Sequence, residues 1–523
     1  MLSFRRFAPV LAVSLAFLIP PGLAAGAAPG SADAGNTNAA PASHGYLPLH
    51  PDYPQVKAQA DAIAQAKAQG SGAAVKGGKG GHGGGGGTGP SVINPNLGWE
   101  GVFQTSVTPP DSTGAAGPNH YVELVNDQYG IYTRTDGTTT TGPLSTLFAD
   151  TKISNGALSD PQILWDPATS RFYYVAIDTT SGNYALLYGF TKTSDPRGGF
   201  CSYRALSYGG TLPDYPKLGD MAGYLLVGVN DFANASTYTG SEVAWITKPT
   251  GDITTCPGPV KAGQIPLTVN ATPVPAVQAD TTSTPGYVVQ AADVSGSSST
   301  PQHQLIVTSI TPGDTPSLST TAYKNIVPYY LPPNAPQYGT SKRLDTLDGR
   351  FEHAVEVGGV VYTAHAVAAT SGGMSIERWY AIDTGKSDTV TPGTLGDSSL
   401  YVFNGAISPD LSGGNLVLGV STSGANAFPA MQAVKWAAAN ATPLLVAATS
   451  TSSPGSVIEQ SQTYNYDFSC SGRQSVCRWG DYSGASPDPS GGGVFLSNQY
   501  NVGGGSIFQA AWRTRNIRIT TTP

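Results

Sequence analysis

The sequence predicts an all-β protein whose main domain is a β-propeller of about seven blades, although six or eight blades fit the same spacing. Three observations carry that expectation. From about residue 91 the chain breaks into short apolar runs separated by turn signals, and one layout of polar residues recurs among those runs. Gly (65), Pro (41) and Tyr (26) are plentiful. Charged residues make up only 12%, against about 25% in an ordinary globular chain. Such a composition suits β-rich extracellular proteins, whose many tight turns consume Gly, Pro and Asn.

The first residues set the compartment. Arg5 and Arg6 precede an apolar run from Phe7 to Ile19, then Pro20 and Pro21, then the small residues Leu23-Ala24-Ala25-Gly26-Ala27. This is the pattern of a secretory signal peptide over residues 1–27. The Pro-Pro-Gly at 20–22 interrupts the run short of the about 20 apolar residues needed to span a bilayer. An extracellular or periplasmic protein without a membrane span, acting as a monomer, is therefore expected. Residues 28–90 are low in complexity. They hold an Ala-rich helix over 55–69, with Val56, Ala60, Ile63 and Ala66 at helical steps, and a glycine linker ending near Pro90. This stretch reads as a spacer or as a removable pro-segment, and His82 within it as a linker residue. The net charge of -7 supplies no basic footprint for nucleic acid.

Residues 91–523 form the expected propeller. Five segments share one layout: PPDSTGAAGPNHYVELVN from Pro109, SDPQILWDPATSRFYYVAID from Ser159, PDYPKLGDMAGYLLVGVN from Pro213, FNGAISPDLSGGNLVLGVS from Phe403 and WGDYSGASPDPSGGGVFLSNQ from Trp479. Each opens on a polar leader (Asp111, Asp160, Asp214, Asn404, Asp481) and continues through a turn residue (Asn119, Asp166, Asp220, Asp410, Asp488) to an apolar strand. The leaders are 49, 54, 190 and 77 residues apart, so the long gap has room for two degenerate copies, placed from Pro273 and from Gly349. Seven units give roughly 60 residues each, generous for a four-stranded blade but natural with decorated loops. SIFQAAWRTRNIRI at the end is expected to close the ring against Trp99 to Phe103.

These segments, together with LPDYPKLGD and RWGDYSGASPDP, resemble a group of exported bacterial propellers related in fold to the sialidase superfamily, over about residues 99–515. The resemblance implies the fold. Sialidases use an arginine trio, a tyrosine nucleophile helped by a carboxylate, and Asp-box turns of the S-x-D-x-G-x-T-W type; this chain has no clean Asp box. No catalytic residue is therefore carried over, and sialic acid is not the implied substrate.

The first strand of each propeller blade lines the central channel, so Asp111, Asp160, Asp214, Asn404 and Asp481 should gather on one face, joined by Arg350 or His353. Such a ring supplies paired acids and bases for glycosidic cleavage, or oxygen ligands for Ca²⁺. Asp residues before strands also cap turns, and the second set (Asp166, Asp220, Asp410, Asp488) reads as caps. In RWGDYSG, Arg478 can grip a carboxylate, Trp479 can stack on a sugar, and Asp481 and Tyr482 can act as acid, base or nucleophile. An Arg-Asp pair locking the last blade is the equal alternative. Asp214, Tyr215 and Lys217 form a site edge or a rigid turn. Arg350, Glu352, His353 and His365 suit a polysaccharide lyase, whereas zinc would need a third ligand that no spacing supplies. In an oxidising compartment the four cysteines should pair, and of three possible pairings the local one joins Cys201 to Cys256 and Cys470 to Cys477.

No G-x-S-x-G elbow, P-loop, H-E-x-x-H or dinucleotide fingerprint occurs. The expected function is a secreted carbohydrate-active enzyme, a glycoside hydrolase or polysaccharide lyase, working on an extracellular polysaccharide or glycoconjugate at the propeller funnel. The alternative is a non-catalytic extracellular binding propeller stabilised by calcium.

Overall fold

The computed structural model describes residues 42–43, 53–70, 97–104, 107–268, 272–280, 285–292, 302–386, 389–438, 456–460, 475–501 and 512–521. The signal peptide expected over 1–27 and the glycine linker lie outside the described residues. The Ala-rich stretch is helical over Tyr53–Gly70.

Beyond that helix the protein is a succession of antiparallel sheets, which identifies the fold as a propeller. Six of these sheets have four strands and one has five. Their first strands are Thr113–Ala116, Leu158–Asp166, Thr211–Met221, Val274–Pro275, His353–Val357, Tyr401–Pro409 and Gly484–Pro487. In the fifth sheet a short strand, Val277–Gln278, runs parallel to His353–Val357 on its inner side. The copies placed in the long gap thus fall on the fourth and fifth sheets. Apart from Leu97–Gln104 in the seventh sheet and Val277–Gln278 in the fifth, the strands of each sheet follow in chain order, and the inner strands touch their neighbours in a closed cycle that returns from the seventh sheet to the first.

Sheets packed face to face bury both faces of their middle strands. This is why RFYYVAID (Arg171–Asp178) and YALLYGFT (Tyr184–Thr191) are buried at every position and run continuously apolar instead of alternating. Contact between sheets is close: a Cβ at Gly228 would lie 2.1 Å from the carbonyl oxygen of Pro273 in the next sheet.

Ring closure is as expected from the sequence. Leu97–Gln104 becomes the outer strand of the seventh sheet by pairing with Trp512–Thr520, with Trp99 opposite Asn516. Buried Glu123 of the first sheet locks this seam. Its carboxylate accepts hydrogen bonds from Tyr132 Oη (2.6 Å), Asn516 Nδ2 (3.0 Å), Ser497 Oγ (3.1 Å) and the Val102 backbone N–H (3.2 Å).

The turn aspartates behave as caps and clamps. Asp166 accepts from Ala168 N and Thr169 Oγ1, and Asp220 from Gln278 N; both also face Lys248, at 3.0 and 2.7 Å. Asp410 accepts from Ser412 Oγ and Gly414 N. Asp488 accepts from Ser490 N and pairs with Arg134 and Arg518. Cys201 and Cys256 are joined, closing a separation of 55 residues. Cys477 is also disulfide-bonded, and Cys470 lies outside the described residues.

Glu123→Ala strands four donors in a dry seam, at about 1 to 3 kcal/mol for each one left unsatisfied. We expect thermal unfolding to show a loss of at least about 3 kcal/mol, with Tyr132→Phe milder. An unchanged midpoint would remove Glu123 as the lock.

Candidate functional site

The polar leaders are built on a shared backbone device. Asp160 (φ 52°), Tyr215 (φ 56°) and Asn404 (φ 54°) are left-handed residues in first strands, and Asp111 (φ 48°) lies just ahead of one, before Ser112. The strand register slips at the three in-strand positions: between Ser159 and Gln162, Asp214 and Lys217, and Phe403 and Ala406. A bulge of this kind re-aims side chains toward the axis. Asp and Asn tolerate the left-handed region, whereas a bulky residue there is a strained outlier. In the third unit that residue is Tyr215 and not Asp214, one step later than the sequence phase suggests.

Tyr215 is held by cross-axis contacts. Its hydroxyl donates to the backbone oxygen of Asp481 in the segment entering the seventh sheet (2.9 Å), and Tyr482 Oη donates to Pro161 O of the second (3.0 Å). The two rings meet edge to face at 6.0 Å. Lys217 is inserted between them, with its Nζ 3.9 Å from the Tyr215 ring centre and 3.5 Å from that of Tyr482. Arg350 lies against the Tyr215 ring at 4.6 Å and forms a two-pronged pair with Asp348 through Nε (2.7 Å) and Nη2 (2.6 Å). The axis is thereby plugged by two tyrosines and a lysine.

Around the plug the ring divides in two. One part is a structural lattice. Asp111 accepts from Asp481 N (2.7 Å) and Asn126 Nδ2 (2.9 Å), while Asn126 Oδ1 accepts from Asp160 N (2.9 Å). Asn404 donates to Asn498 Oδ1 (3.3 Å) and takes a hydrogen bond from Ser483 Oγ on its carbonyl (3.0 Å). The other part lacks partners: among the described residues Lys217 Nζ and both carboxyl oxygens of Glu352 make no hydrogen bond, although each residue is only 2% exposed.

Burial dominates the electrostatics. It pushes Asp111 well up, aided by repulsion from Asp481 and Asp160, and pushes Asp214 well up, aided by Asp160. Glu352 rises through burial and the neighbouring Glu377. Burial brings Lys217 down to about 7 against the pull of Glu352, Asp111, Asp160 and Asp481. Carboxyls raised by burial therefore stand beside an amine that burial lowers to about 7. Perturbed groups of this sort concentrate at functional sites.

The solvent end of the cluster is Arg478, which is paired with Asp481 and lies 3.7 Å from Asp345. A small sheet holds that arrangement: Leu344 sits opposite Cys477, and Asp345 N donates to Cys477 O (2.9 Å). A cavity lined by Gly114, Ile163, Val277, His353 and Ala485 lies farther along the first strands, past the plug. His353 is the one titratable side chain lining it, pushed down to about 4 by burial and by Lys217.

The structure brings together Asp111, Asp160, Asp214, Tyr215, Arg350, Asn404, Arg478, Asp481 and Tyr482, and sets Trp479 and His365 apart. Trp479 is 1% exposed and donates from Nε1 to Ser421 Oγ (2.9 Å), so it has no open face for a sugar. His365 is wedged between Tyr329 and Phe351 and bonded to Gly349 O and Tyr380 Oη, an internal packing role. Arg478 and Asp481 do form the locking pair, at the mouth of the ring. Among the described residues no group of three or more His, Cys, Asp or Glu could hold a metal ion. Sequence reasoning placed Lys217 at a site edge or rigid turn and Glu352 in a lyase-like cluster, but gave neither a specific chemical role. A lysine two residues after a bulge, in an inner strand otherwise buried, was the available signal. The asparagines ending VELVN and beginning NQ, Asn126 and Asn498, were the signal for the lattice.

No family model matches the chain, and no curated protein matches it. Similar solved structures include an ACO/RPE65 chimera, 13% identical over 64% of this chain and 69% of that one, with a TM-score of 0.35. A Trypanosoma rangeli sialidase in complex with the inhibitor DANA is 8% identical over 69% of this chain, with a TM-score of 0.33; the match spans 55% of the sialidase, about half its length. The polysaccharide lyase Uly1 is 9% identical over 63% and 78%, with a TM-score of 0.38. Likenesses this distant carry no argument about chemistry, and the fold is read from the strand pairings themselves.

Glu352 gives a test with a definite sign. Its folded pKa is raised, so the stability it contributes is complete below the unfolded carboxylate range, at about pH 4, and is lost as pH rises toward the folded value. Glu352→Gln escapes that loss. Urea unfolding should find the variant more stable than the parent at pH 8 and the difference shrinking toward pH 4. A difference independent of pH would show that Glu352 is not held protonated.

Proposed function

We propose that this protein is an exported carbohydrate-active enzyme that cleaves a uronate-containing polysaccharide by acid–base elimination at the axial ring. The observation that carries the proposal is Lys217, buried between Tyr215 and Tyr482 with no hydrogen-bond partner among the described residues, facing the equally unpartnered Glu352. Lys217, deprotonated above about 7, is the base that removes the proton α to the uronate carboxyl. Arg350 and Arg478 are the cations that stabilise the carboxylate as negative charge builds on it. A protonated carboxyl, Asp214 or Glu352, returns a proton to the departing glycosidic oxygen. Hydrolysis would ask for one ionised and one protonated carboxyl flanking a water, whereas an amine lowered to about 7 in a ring that also carries two guanidiniums suits elimination. Export is supported by the pattern of residues 1–27 and by the Cys201–Cys256 bridge.

One observation favours a second reading. Asp111, Asp160 and Asn404 are spent on lattice hydrogen bonds, as a non-catalytic glycan-binding propeller would allow.

The test is mass spectrometry of products after incubating the full chain, intact or nicked within residues 71–96, with neutral and uronate polysaccharides. Fragments carrying a new double bond are expected, formed at a rate that climbs as pH passes about 7. Lys217→Met and Glu352→Gln should each lower it by about 10² or more. Fragments carrying added water would make the enzyme a hydrolase. Binding without cleavage would establish the second reading.

A further inference from the structure

The helix Tyr53–Gly70 is docked beside the ring by contacts too specific for a spacer. Lys57, Ala60 and Ala64 are its buried positions, at steps of three and four. Lys57 Nζ donates to Thr346 Oγ1 (2.8 Å) and Leu347 O (2.6 Å) and lies 3.7 Å from Asp345. Asp61 accepts from Asn334 through its backbone N–H (2.7 Å) and Nδ2 (2.8 Å), and Lys67 donates to Ser371 O. The receiving surface is shaped for the helix: at Gly372, in the left-handed region with φ 63°, a Cβ would lie 2.3 Å from Ile63 Cγ2.

Asn334, Asp345, Thr346 and Leu347 belong to the segment that leads into Arg350 and Glu352, and Asp345 links the helix to the site. Asp345 lies between Lys57 and Arg478, and Arg478 is paired with Asp481. The most exposed members of the cluster, Arg478 and Asp345, with side chains 17% and 13% exposed, are thus the ones the helix engages. Most of a helix's stability in a folded protein comes from tertiary packing and not from propensity, so this docking contributes to the order of the helix Tyr53–Gly70. Between the helix and the first propeller strand run residues 71–96, glycine-rich and carrying Lys76 and Lys79.

We infer that the helix Tyr53–Gly70 is an autoinhibitory cap on the mouth of the ring, held by Lys57 and Asp61 and released when the glycine-rich stretch is cut. The inference rests on the reading of the ring as the site. Its test therefore includes a readout that needs no turnover.

In the full chain, the rate at which phenylglyoxal modifies Arg478, followed by peptide mass spectrometry, is compared between the parent and Lys57→Ala/Asp61→Ala. Labelling at least about fivefold faster in the double variant is expected, as for a site freed by local opening. Unmutated protein nicked by trypsin at Lys76 and Lys79 supplies a second measurement. The nicked segment should co-elute at low salt, leave at high salt, and take the protection of Arg478 with it. Faster labelling together with faster polysaccharide cleavage supports both the cap and the enzyme. Faster labelling with no cleavage keeps the cap and removes the enzyme reading. Unchanged labelling in both the variant and the salt-stripped protein overturns the cap.

Discussion

Two tyrosine hydroxyls that reach across the propeller axis set the terms for the rest of the structure. Tyr215 Oη bonds Asp481 O and Tyr482 Oη bonds Pro161 O, so the second, third and seventh sheets are tied through the centre as well as around the rim. Each hydrogen bond is worth about 1 kcal/mol. Their larger effect is geometric, because they fix the one place where Lys217 fits and oblige Tyr215 to adopt a left-handed backbone. Strain of that kind persists only where the surroundings over-determine it.

Charge at the centre follows from this closure. Once the axis is plugged, Asp111, Asp214, Glu352 and Lys217 lie out of water, and burial works on acids and amine in opposite directions. The carboxyls that can be satisfied are satisfied by neighbouring sheets, as Asp111 is by Asp481 N and Asn126. Lys217 and Glu352 are among the groups left without a hydrogen bond in the described residues, and a buried polar group without a partner is costly enough to suggest that something else satisfies it. The helix engages the most exposed edge of the cluster among the described residues, at Asp345 and Arg478.

Much of the fold was legible because it repeats. Four of the leading segments turn at a left-handed residue, at Asp111, Asp160, Tyr215 and Asn404, and LSDPQILWD or RFYYVAID read as strands because both faces are buried. The closing strand was readable from Trp99 and the terminal RTRNIRI. The site was legible only in outline. That Asp111, Asp160, Asp214 and Asp481 converge follows from their phase, but which are structural depends on partners far along the chain, such as Asn126 for Asp160. Trp479 was misleading because an aromatic beside an Arg and an Asp looks equally suited to a sugar or to a core; Ser421, 58 residues away, decides it. The docking of the helix could not be read from an Ala-rich segment, since Lys57 and Asp61 look like solvated charges until Thr346 and Asn334 are placed beside them.

The most direct measurement is an NMR titration of the Lys217 side chain in protein carrying ¹³C-labelled lysine, with its signal assigned through Lys217→Arg. The account predicts a midpoint near 7, well below that of a solvated lysine. A midpoint at the ordinary lysine value of about 10.4 would mean that the amine stays charged and that no acid–base pair exists at the axis.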